Sequence, residues 1–125
     1  MPTTLGSRKK VCRWRVTEGS DVARFDVYPH PDAVLRKQTP YLLDVQNNHI
    51  GRIASRVVVP MRAASLFAKP MRDLNPQFEV AGKKVVLDTA ALAAVPASEL
   101  KGPVLNLAAQ SSTIVAALDV LFGAY

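Results

Sequence analysis

The chain has 125 residues, enough for one domain with a substantial core and too few for two, and its apolar share of 49% is ordinary for a folded protein. The net charge is +6, but residues 1–22 alone carry five basic and two acidic side chains, so the rest reads as an ordinary domain behind a basic tail rather than as a nucleic-acid surface. No apolar run reaches the length of a membrane span, and the single cysteine, Cys12, rules out an internal disulfide framework and a cysteine-based metal centre, which fits the reducing cytoplasm.

Residues 1–22 show no sustained period, and Trp14 is their one large anchor. Arginines interrupt the stretch VCRWRV, so it lacks the apolar segment of a secretory signal. Two readings fit this segment: a flexible basic arm, or a misassigned start with translation beginning at or near Val22.

From Ala23 the character changes. Arg24 to Tyr28 alternates with period two and predicts a strand, broken by Pro29-His30-Pro31-Asp32. After a polar connection, Tyr41 to Gln46 predicts a strand buried on at least one face. Asn47 to Gly51 reads as a loop, since Asn and Gly tolerate positive φ. Ile53 to Val59, with three valines in a row, predicts a third strand that Pro60 should end.

The alanines and Leu66 between Arg62 and Leu74 predict a turn or two of helix before Pro70. Gln77 to Val80, the turn Ala81-Gly82, and Lys83 to Asp88 form the strongest hairpin signal in the chain. Thr89 to Val95 reads as short helical or irregular, and Val104 to Leu107 as a brief strand or a lead into the last element. That element, within Ser111 to Tyr125, is a helix that ends almost where the chain ends, with Ala124-Tyr125 beyond its cap. Ile114, Ala117, Leu118 and Leu121 recur on one face, Val115 and Phe122 widen the stripe, three hydroxyls stand ready at the first turn, and Gly123 sits at the C-cap. Five or six short antiparallel strands followed by one helix describe a mainly β fold: a small barrel closed or buttressed by a C-terminal α-helix.

Chemistry is sparse. His30 lies between prolines and His49 in an Asn-rich loop, with no acidic or thiol cluster beside them to make a metal site. Phosphate-loop, nucleophile-elbow and zincin motifs are all missing. Arg56, Arg62 and His49 can be cast as acid-base groups of a ribonuclease, but no spacing pairs them, and Asp44, Asp88 and Asp119 read as solvated caps or surface ion pairs. The residues point to a binding protein rather than an enzyme, with no catalytic residue, metal or cofactor.

From Ala23 to Tyr125 the chain resembles the CcdB family of toxins. The likeness rests on ARFDVY, LLDVQ, VVVPM, LNPQFEVAGKKVVLDTAALAAVP and the closing ALDVLFGAY, in family order with compatible spacing. It implies an SH3-like antiparallel barrel with a small added sheet and a terminal helix, assembled as a two-fold homodimer. It also implies a non-enzymatic toxin of a type II toxin-antitoxin system that binds the A subunit of DNA gyrase and traps the cleaved-DNA complex. A cognate CcdA-like antitoxin would neutralise it and, with it, repress their operon, so contact with DNA is indirect and no membrane is involved. Carried over by position, the gyrase-binding residues are Asp119, Gly123, Ala124 and Tyr125, supported by Phe25, Tyr28, Asn47, His49 and Ile50. The family's best-known ending is Trp-Gly-Ile, whereas this chain ends Gly123-Ala124-Tyr125, which removes the large ring from its usual place and puts Tyr125 two residues further on.

Overall fold

A computed structural model describes residues 23–48 and 54–123. Seven antiparallel strands form one sheet: β1 (Asp26–Pro29), β2 (Tyr41–Asp44), β3 (Ser55–Ala63), β4 (Gln77–Val80), β5 (Lys83–Leu87), β6 (Ala93–Pro96) and β7 (Leu105–Asn106). Their order is β4-β5-β3-β2-β1-β7, with β6 branching from β3, and the sheet curls into a nearly closed barrel followed by helix α1 (Ser111–Phe122).

The long strand β3 organises this arrangement. Along one edge it pairs with β2, from Tyr41↔Met61 to Asp44↔Val58. Its other edge is shared: Ser55 to Val58 pairs with β6, and Met61 to Ala63 pairs with β5, so the β4–β5 hairpin is the extension of the barrel sheet. Pro60 does not end the strand. It falls between the two partners of that shared edge, and its carbonyl accepts the Asp88 N–H at 2.9 Å. A strand residue directs its N–H and C=O to the same side, so the missing proline N–H faces the step between β6 and β5 and breaks no ladder bond.

Period-two alternation sorts the side chains. Val27, Leu43, Val59 and Met61 face inward with Val80, Val85 and Leu87 to form the main core, which Ile114 and Ala117 of α1 cover. The opposite face holds a smaller cluster of Tyr28, Leu42, Val58 and Leu100.

The segment after β3 holds one turn of helix, a 3-10 turn over Ala64–Leu66, and two other expectations need correction. The stretch 89–95 divides into a 3-10 turn, Thr89–Ala91, and strand β6, which begins at Ala93. The hydroxyls of Ser111 to Thr113 do not cap α1, because a 3-10 turn over Ala108–Gln110 runs straight into it and the Ala108 carbonyl accepts the Ser111 N–H. The C-terminal end matches its sequence signal: Gly123 is left-handed, with φ 75°, and its N–H returns to the Asp119 carbonyl.

Candidate functional site

The nine residues carried over by resemblance divide into two groups and a remainder. His49, Ile50, Ala124 and Tyr125 lie outside the described residues, as does the segment 1–22.

The first group is the helix end. Asp119 is half-buried and Gly123 exposed. Phe122 does not widen the core stripe; its ring is 72% exposed and sits next to the glycine cap. The helix is anchored by the core cluster in which Ile114 and Ala117 are buried, with Val115 and Leu118 packed against it.

The second group gathers around Asp44, at the end of β2. Phe25 N–H donates to the Asp44 carbonyl at 2.6 Å, and the Phe25 carbonyl accepts from Leu107 N–H at 2.9 Å. Phe25 has φ 73°, a conformation that a bulky residue adopts only where its surroundings over-determine it. Its ring is buried, with the Arg24 guanidinium 4.7 Å from its centroid. Arg24 also donates from Nε to the Val45 carbonyl and from its backbone N–H to Asn48 Oδ1. Tyr28 is likewise buried, but in the smaller cluster on the opposite face of the sheet, whereas Phe25 belongs to the main core, and Asn47 is exposed.

Beneath Asn47 lies a feature with no warning in the sequence. Asp26, Tyr28, Asp44, Gln46 and Arg56 are buried together, and Asp44 and Arg56 are both 0% exposed. Arg56 Nε donates to Asp44 Oδ2 at 2.7 Å, and Nη2 donates to Asp44 Oδ1 at 2.9 Å and to the Gln46 carbonyl at 3.3 Å. This is a forked pair of the kind only arginine makes. Gln46 completes it: its N–H donates to Asp44 Oδ1 at 3.0 Å and its Oε1 accepts from Val57 N–H at 3.0 Å. Burial pushes the Asp44 carboxyl up from the ordinary carboxylate range, opposed by the Arg56 guanidinium and the Gln46 N–H. Tyr28 Oη donates to Asp26 Oδ2 at 3.2 Å, and burial followed by the Asp26 charge raises the phenol above its usual range.

These contacts also bear on ribonuclease chemistry. Arg56 is sealed in its ion pair, and Arg62 is bound to Asp88 Oδ2 at 2.5 Å and Thr39 Oγ1 at 3.0 Å. Arg56 is therefore closed off from any open surface, while Arg62 is partly exposed and held by these two partners. Of the carboxylates expected as solvated caps or surface ion pairs, Asp88 forms a partly exposed ion pair with Arg62, whereas Asp44 is fully enclosed with Arg56. His30 keeps its turn role, with Nδ1 accepting the Asp32 N–H. Among the described residues no group of three or more His, Cys, Asp or Glu side chains is arranged to hold a metal ion, and no helix is long and apolar enough to cross a membrane.

A search of curated proteins found no match. Comparison with protein-family models matches residues 24–123 to CcdB, described as CcdB protein. The match covers the barrel from the start of β1 to the cap of α1, and with it the chain belongs to the CcdB family.

Proposed function

We propose that this protein is the toxin of a type II toxin-antitoxin system, acting in the cytoplasm by binding the A subunit of DNA gyrase and holding the cleaved-DNA complex. A CcdA-like antitoxin neutralises it, and the two together repress their operon. The observation that carries this reading is the family match over residues 24–123, on a barrel that ends in an anchored helix with an exposed Phe122 at its cap. The working surface is the helix end, Asp119 with Gly123 to Tyr125, joined by Asn47, His49 and Ile50. Phe25 and Tyr28 contribute from buried positions. The active form is a homodimer that buries apolar surface near the end of the helix, and the action is binding, with no catalytic step and no cofactor.

The test is induction in cells without antitoxin, scoring gyrase-linked double-strand breaks and messenger cleavage together. Gyrase-linked breaks beside intact messengers are expected. Intact DNA beside cut RNA would overturn the reading in favour of a ribonuclease, and neither lesion would mark a toxin whose gyrase poisoning is lost or retargeted. Removing Gly123 to Tyr125 should abolish toxicity while antitoxin binding survives; undiminished toxicity would move the gyrase contact away from the chain's end.

A further inference from the structure

We propose that Arg24 is a specificity-determining contact residue: its guanidinium, fixed between the Phe25 ring and the Val45 carbonyl, takes a carboxylate of a protein partner. The inference rests on the gyrase-binding reading only for the identity of that partner.

Arg24 is held along its whole length. Its backbone N–H donates to Asn48 Oδ1 at 2.9 Å, its carbonyl accepts from Asn106 Nδ2 at 3.0 Å, and its Nε donates to the Val45 carbonyl at 3.1 Å. The guanidinium carbon then lies 4.7 Å from the centre of the Phe25 ring. Successive side chains of an extended strand point to opposite faces, so stacking between neighbours needs a break in the alternation. Phe25 supplies it with φ 73°, a strained conformation for a bulky residue that here brings its ring under the preceding cation. Nε is taken up by Val45, while Nη1 and Nη2 make no hydrogen bond among the described residues, although Arg24 is half-buried. Those two nitrogens present the parallel N–H donors that match the two oxygens of a carboxylate.

The energetics favour a recognition role. A long surface arginine loses rotamer freedom when it pairs, but a guanidinium already fixed by a carbonyl and a ring has little left to lose. Partial burial also strengthens its attraction for an anion. The neighbouring charges decide which anion. Arg56, the other cation of this group, is enclosed in its pair with Asp44, and Asp26 is buried against Ala23, Tyr28 and Asn106. Nucleic-acid backbones are gripped by clusters of cations, whereas a single planar fork beside two buried carboxylates suits one carboxylate. A residue serving only to cover Phe25 would need the stem and the stack but neither the charge nor the fork.

The experiment compares the full chain with R24M, which keeps an apolar cover over Phe25, and with R24K, which keeps the charge but loses the fork. Three quantities are read: thermal midpoint, affinity for isolated gyrase A subunit at low and high salt, and the side-chain NMR signals of Arg24 and of the exposed Arg72 as sodium acetate is added, with sodium chloride as control. For R24M the midpoint should stay within a few degrees while affinity falls roughly tenfold, the order of one charge-assisted hydrogen-bonded pair, and depends less on salt. R24K should keep the salt dependence and recover only part of the affinity, and it decides the matter if R24M does not fold. Acetate should shift Arg24 more than Arg72. Unchanged affinity in a folded variant would overturn the proposal, as would an acetate response no larger at Arg24 than at Arg72. A response to inorganic phosphate without one to acetate would also overturn it, in favour of a nucleic-acid backbone. If the parent chain does not bind gyrase A, the gyrase reading fails by itself, and the acetate titration still decides whether Arg24 is a carboxylate fork.

Discussion

Tyr28 Oη and Asp26 Oδ2 lie 3.2 Å apart on the buried polar face of the sheet, and this contact sets how the fold responds to alkali. Asp26 is also held by Ala23 N–H through Oδ2 and by Asn106 Nδ2 through Oδ1, so the carboxylate stays in place whatever Tyr28 does.

The pH dependence follows from the sign of the Tyr28 shift. Burial, then the Asp26 charge, raises the phenol in the folded state, so between the unfolded value near 10 and the higher folded value the native chain binds more protons than the unfolded one. The stabilisation is complete below about pH 10 and is lost as the pH rises beyond it. Urea unfolding from about pH 9 to 11.5 should show the parent losing stability more steeply than Tyr28→Phe. Parallel slopes would mean that Tyr28 ionises freely in the fold.

The Asp44–Arg56 pair should be costly to break and cheap to replace. Arg56→Met leaves a buried carboxylate unpaired and should cost about 3–5 kcal/mol near neutral pH. Without the guanidinium that opposes its upward shift, Asp44 in this variant should hold its proton to a still higher pH. The folded state then binds more protons than the unfolded one, so the deficit should shrink as the pH is lowered toward about 4. Adding Asp44→Leu should recover most of the loss, as a double-mutant cycle of denaturation free energies would show.

The hairpin turn offers a gain. Ala81 and Gly82 have φ 50° and 80° in a two-residue connection closed by Val80↔Lys83, the pattern of a type I′ turn. Only alanine is out of place there. Ala81→Asn should raise stability by about 0.5–1 kcal/mol, and Ala81→Gly by less, since glycine relieves the same strain but adds freedom to the unfolded chain. A fall in thermal midpoint for Ala81→Asn would contradict this.

That hairpin was legible because its signals are local: alternation in Gln77 to Val80 and a turn dipeptide between the strands. The inward face of the barrel was legible for the same reason. Strand β6 was not, because Ala93 and Ala94 are exposed and carry no alternation, and its pairing with Ser55 to Val58 spans almost 40 residues. The course of β3 through Pro60 depended on where two different partners meet, which no window around Pro60 contains. The Asp44–Arg56 pair was hidden in the same way, since twelve residues separate two ordinary surface-type side chains that the register brings together inside. At the helix end the periodicity was right for Ile114 and Ala117, while Phe122 fell off the stripe, and only the resemblance assigned that end a role.

Two residues of α1 separate packing from contact. Ile114 is fully buried in the main core, and Ile114→Ala should cost about 2–5 kcal/mol, with loss of toxicity following from loss of the folded protein. Phe122 is on the same helix two turns later, yet its ring is 72% exposed, so Phe122→Ser should change stability by no more than about 0.5 kcal/mol. If the helix end is the working surface, the effects on function should reverse: Phe122→Ser should weaken self-association or gyrase A binding in a protein with an unchanged thermal midpoint. The two variants should be read by calorimetry, by sedimentation at micromolar concentration and by titration with gyrase A. A Phe122→Ser protein that matches the parent in all three would remove the helix end from the contact surface and leave the turn at Asn47 as the place to look.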